Sequence, residues 1–363
     1  MKCIVLLIFL STFQISAQIL QDTTSLNLIK KDIDYMYNLQ FNDAREVSIK
    51  INQLYPGHPY VYLLRGIMTY QENYPLLYTN PARVSFEENM RQCIRLSEKN
   101  DNQVYEAEYL LANLCARGML LMFYADNDLI MEVVPLFTST YKYLRLSFDF
   151  TLVSPDLYYF TGIYNYYREA FPREYPMYEP LALLFPHGDT ETGLKELKTS
   201  ALNSVVLKAE SYLLLAWIYL NYENKYPEAL DYSKSLHELY PDNVLYLGIF
   251  IKNLLLMKHY DEAEELIKAS GEEAGNRYFQ GQLSIFNGIL QEKKYLDNKM
   301  AQQYYEKGIS DLSLFDEYGN EYAAYAYYGL SRISGVNGEK HTQKIYRKEA
   351  MKLTDFKKIN FDE

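Results

Sequence analysis

The sequence predicts an all-α fold, a right-handed superhelix of stacked helical hairpins, and three observations support this prediction. A short pattern recurs after 34 residues, between Ala229 and Ala263, which is a spacing typical of helical repeats. Apolar residues recur at helical intervals, as Leu194, Leu197 and Ala201 do. No segment alternates polar and apolar residues over more than about four positions, so strands are not expected.

Composition places the chain among ordinary folded proteins. Of its 363 residues, 48% are hydrophobic and 23% are charged, which excludes wholesale disorder. Only 16 are Gly and 12 are Pro, too few for a turn-rich β-sandwich. The formal net charge of −11 speaks against bare nucleic acid or an anionic membrane surface as the main partner, because either requires a basic face.

The first segment has the features of an export signal. Lys2 precedes an apolar run at residues 4–10, which is too short to span a bilayer and is followed by small residues. We expect residues 1–17 to be a signal peptide and residues 18–363 to form one helical array without a transmembrane segment. Cys3 lies before the apolar run, where it cannot be the lipidated residue of a lipoprotein. The expected location is therefore outside the inner membrane, with the periplasm as first choice.

The N-terminal half of the array, residues 18–150, carries the repeat pattern in a looser form. An aromatic residue stands three positions before Ala44, and Pro56 follows Ala44 by twelve positions. Gly66 comes ten positions later, with Tyr62 four residues before it. This order of aromatic, small residue and proline is that of a helical hairpin whose second helix ends before the proline.

The clearest repeats fall in residues 205–275. Tyr260 and Ala263 repeat, 34 residues later, the tyrosine and alanine of the segment that contains Ala229. Pro241 follows Ala229 by twelve positions, which is the spacing seen in the N-terminal half. Two segments in phase are stronger evidence than single matches, because tyrosine is common in this chain.

These segments resemble the tetratricopeptide repeat, whose two helices carry small residues and aromatic residues at fixed positions. The matching positions are Tyr212, Leu215, Ala216, Tyr219, Ala229 and Pro241 in one unit, Ala44, Pro56, Tyr62 and Gly66 in another, and Tyr260 and Ala263 in a third. One extra residue falls in the turn near Asn224, and later units at Gly288 and Gly329 have insertions of about one and two residues. Small residues let paired helices approach closely, and stacked hairpins share one core.

The middle of the chain departs from this pattern. Four prolines in a break at residues 171–189 exclude a single regular helix. Residues 157–220 resemble the tetratricopeptide proteins of the mitochondrial outer membrane that are tied to inclusion clearance and lipid droplets. The matching residues are Leu184, Phe185, Gly188, Asp189, Gly193, Leu194, Leu197 and Ala201. The resemblance implies a shared structural unit with a broken connection, not a shared organelle. We expect His187 to lie in a loop and Asp189 to cap a helix, with a ligand or metal contact as the alternative.

Tyrosine is the unusual feature of this composition, with 38 residues. Its large apolar ring and polar hydroxyl suit packing between hairpins, and they equally suit a binding surface. The first interpretation places the tyrosines in the core, and the second places some of them in a concave groove for an extended ligand. The candidate binding residues are Tyr158, Tyr159, Tyr166, Tyr167, Trp217, Tyr325 and Tyr328.

No motif for catalysis, metal or cofactor binding stands out. None of the five histidines belongs to an HExxH pair or adjoins a CxxC, and the sequence contains no phosphate loop or GxSxG. We therefore expect no enzyme, no metal and no cofactor. Cys93 and Cys115 would lie about 12 Å out of register if their helices met around Asn100, so two buried free thiols are expected rather than a disulfide.

These observations favour an exported, non-catalytic scaffold that binds a protein or peptide partner in the bacterial cell envelope. The alternative is a soluble protein that captures a glycan or a lipid in a Tyr-rich groove or pocket. A wide pocket near Trp217 or the proline-rich break would favour the alternative, and an open groove would favour the scaffold. An enzyme without a readable motif is a third possibility, which clustered carboxylates of raised pKa in a cleft would support.

Overall fold

The computed structural model describes residues 19–20, 22–99, 106–271, 275–354, 356 and 359–362. The expected signal peptide, residues 1–17, lies outside the described residues.

The described residues form seventeen α-helices and no strand, which confirms the all-α prediction. The helices are α1 (Thr23–Tyr37), α2 (Phe41–Leu54), α3 (Pro59–Glu72), α4 (Ala82–Glu98), α5 (Glu106–Asp126), α6 (Ile130–Ser147), α7 (Leu157–Glu174), α8 (Glu179–Ala182), α9 (Thr190–Asn203), α10 (Lys208–Asn221), α11 (Tyr226–Leu239), α12 (Val244–Leu256), α13 (Tyr260–Ser270), α14 (Arg277–Lys293), α15 (Asn298–Leu312), α16 (Asn320–Val336) and α17 (Lys340–Leu353). Short 3-10 turns lie at Phe148–Phe150, Pro176–Tyr178 and Ser313–Gly319.

Sixteen of these helices pair into eight antiparallel hairpins. The pairs are α1 with α2, α3 with α4, α5 with α6, α7 with α9, α10 with α11, α12 with α13, α14 with α15, and α16 with α17. Each hairpin also packs on the next one along the chain, so that neighbouring units bury each other's apolar faces. The fold is therefore a helical solenoid, as the sequence predicts.

One turn geometry recurs between the two helices of a hairpin. A residue with a positive φ of 53–78° stands two positions before the second helix in six hairpins, at Leu39, Asp128, Asn224, Lys258, Leu296 and Gly338. The next residue then donates its backbone N–H to a carbonyl in the last turn of the first helix. In four hairpins that carbonyl lies five positions earlier, as in His259 to Leu254 (2.9 Å). The turn thus satisfies a carbonyl that the helix end leaves open.

The backbone hydrogen bond of each hairpin turn shows whether the turn contains an inserted residue, as the sequence predicts for three hairpins. It spans six positions from Lys225 to Tyr219 (2.8 Å) and from Asp297 to Gln291 (2.9 Å), so these two hairpins each contain the one extra residue that the sequence predicts. The two-residue insertion expected in the last unit is wrong. Glu339 N–H donates to Ser334 O, five positions earlier, so this turn contains no extra residue. When the hairpins are aligned by their turns, Ser331 rather than Gly329 occupies the small-residue position of α16.

Small residues bring successive helices together, as expected. A Cβ placed on Gly66 would lie 2.4 Å from Met90 Cε, so the Met90 side chain of α4 packs directly on the backbone of α3. The Tyr305 ring lies between two glycines, Gly288 on α14 and Gly329 on α16. Its hydroxyl donates to Glu292 Oε2 (2.7 Å). An aromatic ring therefore fills the space that small residues leave between hairpins, which is the packing the repeat pattern requires.

The middle hairpin has the closest contact between two backbones. A Cβ on Gly193 would meet Tyr166 N at 2.6 Å and Gly162 O at 2.8 Å, so α9 lies directly on α7. The proline-rich break proves to be the connection between these helices, through a 3-10 turn and α8. Of the four prolines only Pro172 lies inside α7, which ends at Glu174; a proline in the last turn removes few hydrogen bonds.

The solenoid closes on itself. The α1 and α3 hairpins lie against the inner helices of the later hairpins, and tyrosines mediate the contacts. Tyr37 packs on Tyr240 and Tyr246, with ring centroids 5.4 and 6.3 Å away, and Asn243 Nδ2 donates to Tyr37 O (2.8 Å). The Tyr37 hydroxyl donates to Glu210. We call this set of contacts, between α1–α5 and α10–α16, the closure seam.

A second part of the closure seam lies beyond α3. Tyr74 packs edge-on against Tyr278 (6.2 Å) and Tyr318 (5.7 Å). The Tyr318 hydroxyl donates to Leu76 O (3.4 Å), and the Tyr278 hydroxyl donates to Tyr318 O (2.7 Å). The concave side of the solenoid is therefore largely filled by the protein's own N-terminal hairpins.

Candidate functional site

An inner cavity remains where the closure seam does not fill the solenoid. Its volume is about 140 Å³, and it lies between the first helices of four successive hairpins, α10, α12, α14 and α16, with Tyr74 on the opposite side. Its walls include Trp217, Lys252, Gln282, Glu321 and Tyr322. Ligand pockets usually measure ~300–1,000 Å³, so this cavity has room for a few waters or one small molecule, and not for a glycan chain or a lipid.

An ion pair between a buried lysine and a partly exposed glutamate gives the cavity its polarity. Lys252 is 4% exposed, and its ammonium donates to Glu321 Oε1 (2.8 Å). The Tyr325 hydroxyl donates to the same oxygen (2.6 Å). Desolvation alone would raise the pKa of Glu321, but the Lys252 charge and these hydrogen bonds lower it below its ordinary value. Glu321 is thus held as a carboxylate. Gln282 Oε1 has no hydrogen-bond partner among the described residues.

An aromatic cluster adjoins the cavity at Trp217. It consists of Tyr167 on α7, Trp217 on α10 and Tyr222 directly after α10, with ring centroids 5.4–6.4 Å apart. The side chain of Trp217 lies both in the cavity wall and in this cluster. Trp217 is 36% exposed, which is high for the single tryptophan of the chain.

The segment after α17 covers the aromatic cluster. Phe356 packs edge-on against Trp217, with ring centroids 5.3 Å apart, and against Tyr222 at 5.4 Å. We call the described residues of this segment, Phe356 and 359–362, the tail.

The other end of the tail binds to α16. Phe361 packs on Tyr325 at 5.2 Å. Arg332 Nη1 donates to the backbone carbonyl of Asn360 (2.5 Å) and to Asp362 Oδ1 (3.0 Å). The same guanidinium donates to both carboxylate oxygens of Glu292 (2.6 and 2.9 Å). The tail is therefore recognised through a backbone carbonyl, an aromatic side chain and a carboxylate.

The predicted binding residues divide into three groups. Tyr167 and Trp217 lie in the aromatic cluster, and Tyr325 lies under Phe361. Tyr166 and Tyr328 are buried, at 0% and 2% exposure. Tyr158 and Tyr159 are half-buried on α7 away from the described tail contacts. Tyr166 also packs on Tyr167 and Tyr222, with ring centroids 5.3 and 6.0 Å away. The structure therefore brings Tyr166, Tyr167 and Trp217 together and places Tyr325 at the other end of the tail.

Sequence reasoning missed Tyr222, Phe356 and Phe361. Tyr222 falls after the periodic part of α10, and the tail has no helical periodicity that would relate it to a repeat. The available signal was the pair of phenylalanines five positions apart among charged residues, after the last repeat ends. That pattern is too short to be specific.

The buried carboxylates do not form one cleft. Burial raises the pKa of Asp32 and of Asp126 to about 7 and that of Glu210 to about 8. Asp32 accepts from Ser48 Oγ (2.7 Å) between α1 and α2, Asp126 pairs with Tyr318, and Glu210 pairs with Tyr37. Each has a different partner in a different interface, so they do not act as an acid–base pair.

The remaining candidates for chemistry, one histidine, one aspartate and two cysteines, lie in a loop, at a helix cap and in the core. His187 has a side chain that is 83% exposed, and Asp189 accepts from Thr192 N (2.6 Å) as the cap of α9. Cys93 and Cys115 are buried and free, as predicted. Burial raises the pKa of the Cys93 thiol to about 12, which makes it unreactive.

No group of three or more His, Cys, Asp or Glu side chains is placed to hold a metal ion in the described part of the chain. Among the described helices, none is both long enough and apolar enough to cross a membrane. No protein-family model matches the chain, and no curated protein matches it.

Proposed function

We propose that the protein is an exported, non-catalytic scaffold of tetratricopeptide-like hairpins that binds a protein or peptide partner in the bacterial cell envelope. The observation that carries the proposal is the tail, whose described residues bind to the aromatic cluster and to α16. A surface that binds one peptide segment through its backbone and its aromatic side chains has the chemistry to bind another.

The contacts of the tail are those of a peptide-recognition site. The Arg332 guanidinium reads a main-chain carbonyl at Asn360 and a carboxylate at Asp362. Trp217 and Tyr222 accept one aromatic ring. Trp, Tyr and Arg are the residue types that dominate binding energy at interfaces. The exposed side of Trp217 leaves room for a partner to reach this surface.

The inner cavity favours a second candidate, capture of a small molecule. The Lys252–Glu321 pair and the unpartnered Gln282 Oε1 offer polar contacts inside aromatic walls. The volume of about 140 Å³ is comparable to a cavity that holds one benzene ring. The alternative of a glycan or lipid ligand would need the closure seam to open, so the peptide partner remains the leading proposal.

Affinity capture with a matched pair of variants tests the proposal. Mature protein, Trp217→Ala and Tyr78→Ala are immobilised and exposed to envelope extract. Tyr78 is 44% exposed on another part of the solenoid, so its loss controls for removal of an exposed aromatic. We expect wild type and Tyr78→Ala to retain one stoichiometric protein that Trp217→Ala loses.

The opposite outcomes are equally clear. A protein retained equally by all three baits would not use the aromatic cluster, and the proposal would be wrong. Recovery of small molecules alone, without a protein, would favour the second candidate. Circular dichroism of each bait shows whether the helices remain folded.

A further inference from the structure

We infer that the aromatic cluster of Tyr167, Trp217 and Tyr222 is a binding site for an aromatic side chain of a peptide ligand, and that Phe356 of the protein's own tail occupies it as an internal competitor. This inference rests on the proposed peptide-binding function and names the ligand class for it. The ligand is an extended peptide with two aromatic residues five positions apart and an acidic residue after the second.

The first step of the argument is the reach of Phe356. Phe356 follows the last hairpin in the chain, and its ring contacts the fifth hairpin. The centroid of this ring lies 5.3 Å from that of Trp217 and 5.4 Å from that of Tyr222. Side chains alone make this contact, since the described part of the tail forms no helix there. Edge-on aromatic pairs add only a small stabilisation beyond the area they bury, so the contact is favourable and still easily exchanged.

The second step is the polar end of the tail. Asn360 and Asp362 bind to Arg332, and Arg347 lies 3.8 Å from Asp362. Two guanidinium groups near one carboxylate select an acidic residue at that position of a ligand. Phe361 precedes this acid and packs on Tyr325.

The third step is the spacing that these contacts impose. The two aromatic anchors, Phe356 and Phe361, are five residues apart, and the acid Asp362 follows at once. A free peptide must satisfy the same three sites to bind with similar strength. The site therefore selects ligands by pattern, not by one residue.

The fourth step is why the tail competes. A segment attached to the protein that it binds has an effective concentration on the order of 1 mM. A free peptide with the same contacts must overcome this concentration. Phe356 is only half-buried, whereas Ile359 and Phe361 are 3% and 8% exposed. The Phe356 ring can therefore leave the aromatic cluster while the rest of the tail stays in the core.

Fluorescence of the single tryptophan provides the test, because Trp217 is itself the binding residue. The probe is a synthetic peptide with the sequence of residues 354–363, together with the same peptide carrying Ala in place of both phenylalanines. Full-length wild type, Phe356→Ala and Phe137→Ala are titrated. Phe137 is 49% exposed on α6 and serves as the matched control.

We expect Phe356→Ala to shift the Trp217 emission to longer wavelength, since the indole loses its covering ring. The synthetic peptide should reverse this shift and bind Phe356→Ala about tenfold more tightly than it binds wild type or Phe137→Ala. The peptide without phenylalanines should leave the emission unchanged.

Two results would overturn the inference. Unchanged Trp217 emission in Phe356→Ala would show that the ring does not cover the indole, and equal peptide affinity for all three proteins would show that the tail does not compete. These failures are distinct from failure of the proposed function. If the peptide exchanges with the tail while envelope extract yields no partner, the scaffold proposal fails alone; if a partner binds through Trp217 equally in wild type and Phe356→Ala, this inference fails alone.

Discussion

The contacts between neighbouring helices of the stack and the closure seam are built from different residues. Neighbouring helices meet through small residues, as Gly193 of α9 meets α7 within the fourth hairpin. The closure seam joins tyrosines to polar groups that are distant in sequence, as Tyr37 joins Glu210 and Asn243. Small residues bring helices into direct contact, whereas tyrosines bridge a wider gap and carry a hydroxyl that needs a partner.

This difference explains much of the tyrosine content. A solenoid that stays open needs aromatic residues between its hairpins, as at Tyr305, but not across its concave side. Here Tyr74, Tyr278 and Tyr318 meet across that side. We expect the two kinds of interface to fail in different ways. Damage between neighbouring helices unfolds the stack, and damage at the closure seam opens it while the hairpins persist.

The largest effect is expected from Gly193→Val. A Cβ at this position would lie 2.6 Å from Tyr166 N and 2.8 Å from Gly162 O, and backbone atoms cannot move aside as a side chain can. We expect a loss of more than about 3 kcal/mol of unfolding free energy, measured by urea denaturation.

Gly118→Ala is the matched control for that substitution. The nearest atom to a Cβ there is Phe160 Cε1, at an ordinary 3.8 Å. Helix propensity then dominates, and a gain of up to about 1 kcal/mol is expected. A similar loss in both variants would show that the α7–α9 contact is not specially close.

The next effect is expected from Tyr37→Ala in the closure seam. Tyr37 is 2% exposed and packs on Tyr240 and Tyr246, so its removal should cost about 3 kcal/mol. Hydrogen exchange should rise first in α1 and α12, while helix content stays near that of wild type. Tyr78→Ala, which removes an exposed ring, should change neither. Uniform loss of protection along the whole chain would mean that the closure seam and the hairpins form one cooperative unit.

The smallest effect is a pH dependence that separates the two interfaces. Burial raises the pKa of Asp32, inside the first hairpin, to about 7 and that of Glu210, in the closure seam, to about 8. A carboxyl with a raised folded-state pKa contributes stability that is present below its unfolded pKa and is lost as pH rises through the folded value. Wild type should therefore be less stable at pH 8 than at pH 6, because both carboxyls lose their folded-state protons across this window.

Two isosteric variants assign this dependence. Glu210→Gln should remove the part of the pH dependence that accompanies opening of the closure seam, and Asp32→Asn should remove the part that accompanies unfolding of the first hairpin. Hydrogen exchange of α1 and α12, followed from pH 6 to pH 8 with correction for intrinsic exchange rates, separates the two. Identical pH profiles in wild type and both variants would contradict the assignment.

The hairpins were predictable because their signals are local. Ala229 and Ala263 repeat at a fixed interval, and one inserted residue near Asn224 shifts the pattern by one position. Asp189 caps α9 by accepting a hydrogen bond from the backbone N–H three residues later. The wrong assignment of Gly329 to the small-residue position of the last unit also comes from relying on local signals. Gly329 and Ser331 are both small and both on α16, and only the turn shows which of them occupies the repeat position.

The closure seam and the tail were not predictable from such signals. Tyr37 and Glu210 are 173 positions apart, and no periodicity relates them. The sequence around a tyrosine on the concave side does not distinguish a tyrosine that binds a ligand from one that packs on another tyrosine. The position of Trp217 as a surface residue was anticipated, whereas its neighbour Phe356 lies outside every repeat.

Closure also fixes the number of units. Open arrays gain and lose repeats by duplication, because each added unit needs only its two neighbours. Here a duplicated 34-residue unit inserted between α3 and α10 would carry Tyr37 out of register with Asn243 and Tyr246, and the ring of hairpins could not be rejoined. Such a protein can diversify by substitution of its exposed residues. The contacts between its first hairpin and its sixth, however, keep its number of repeats constant.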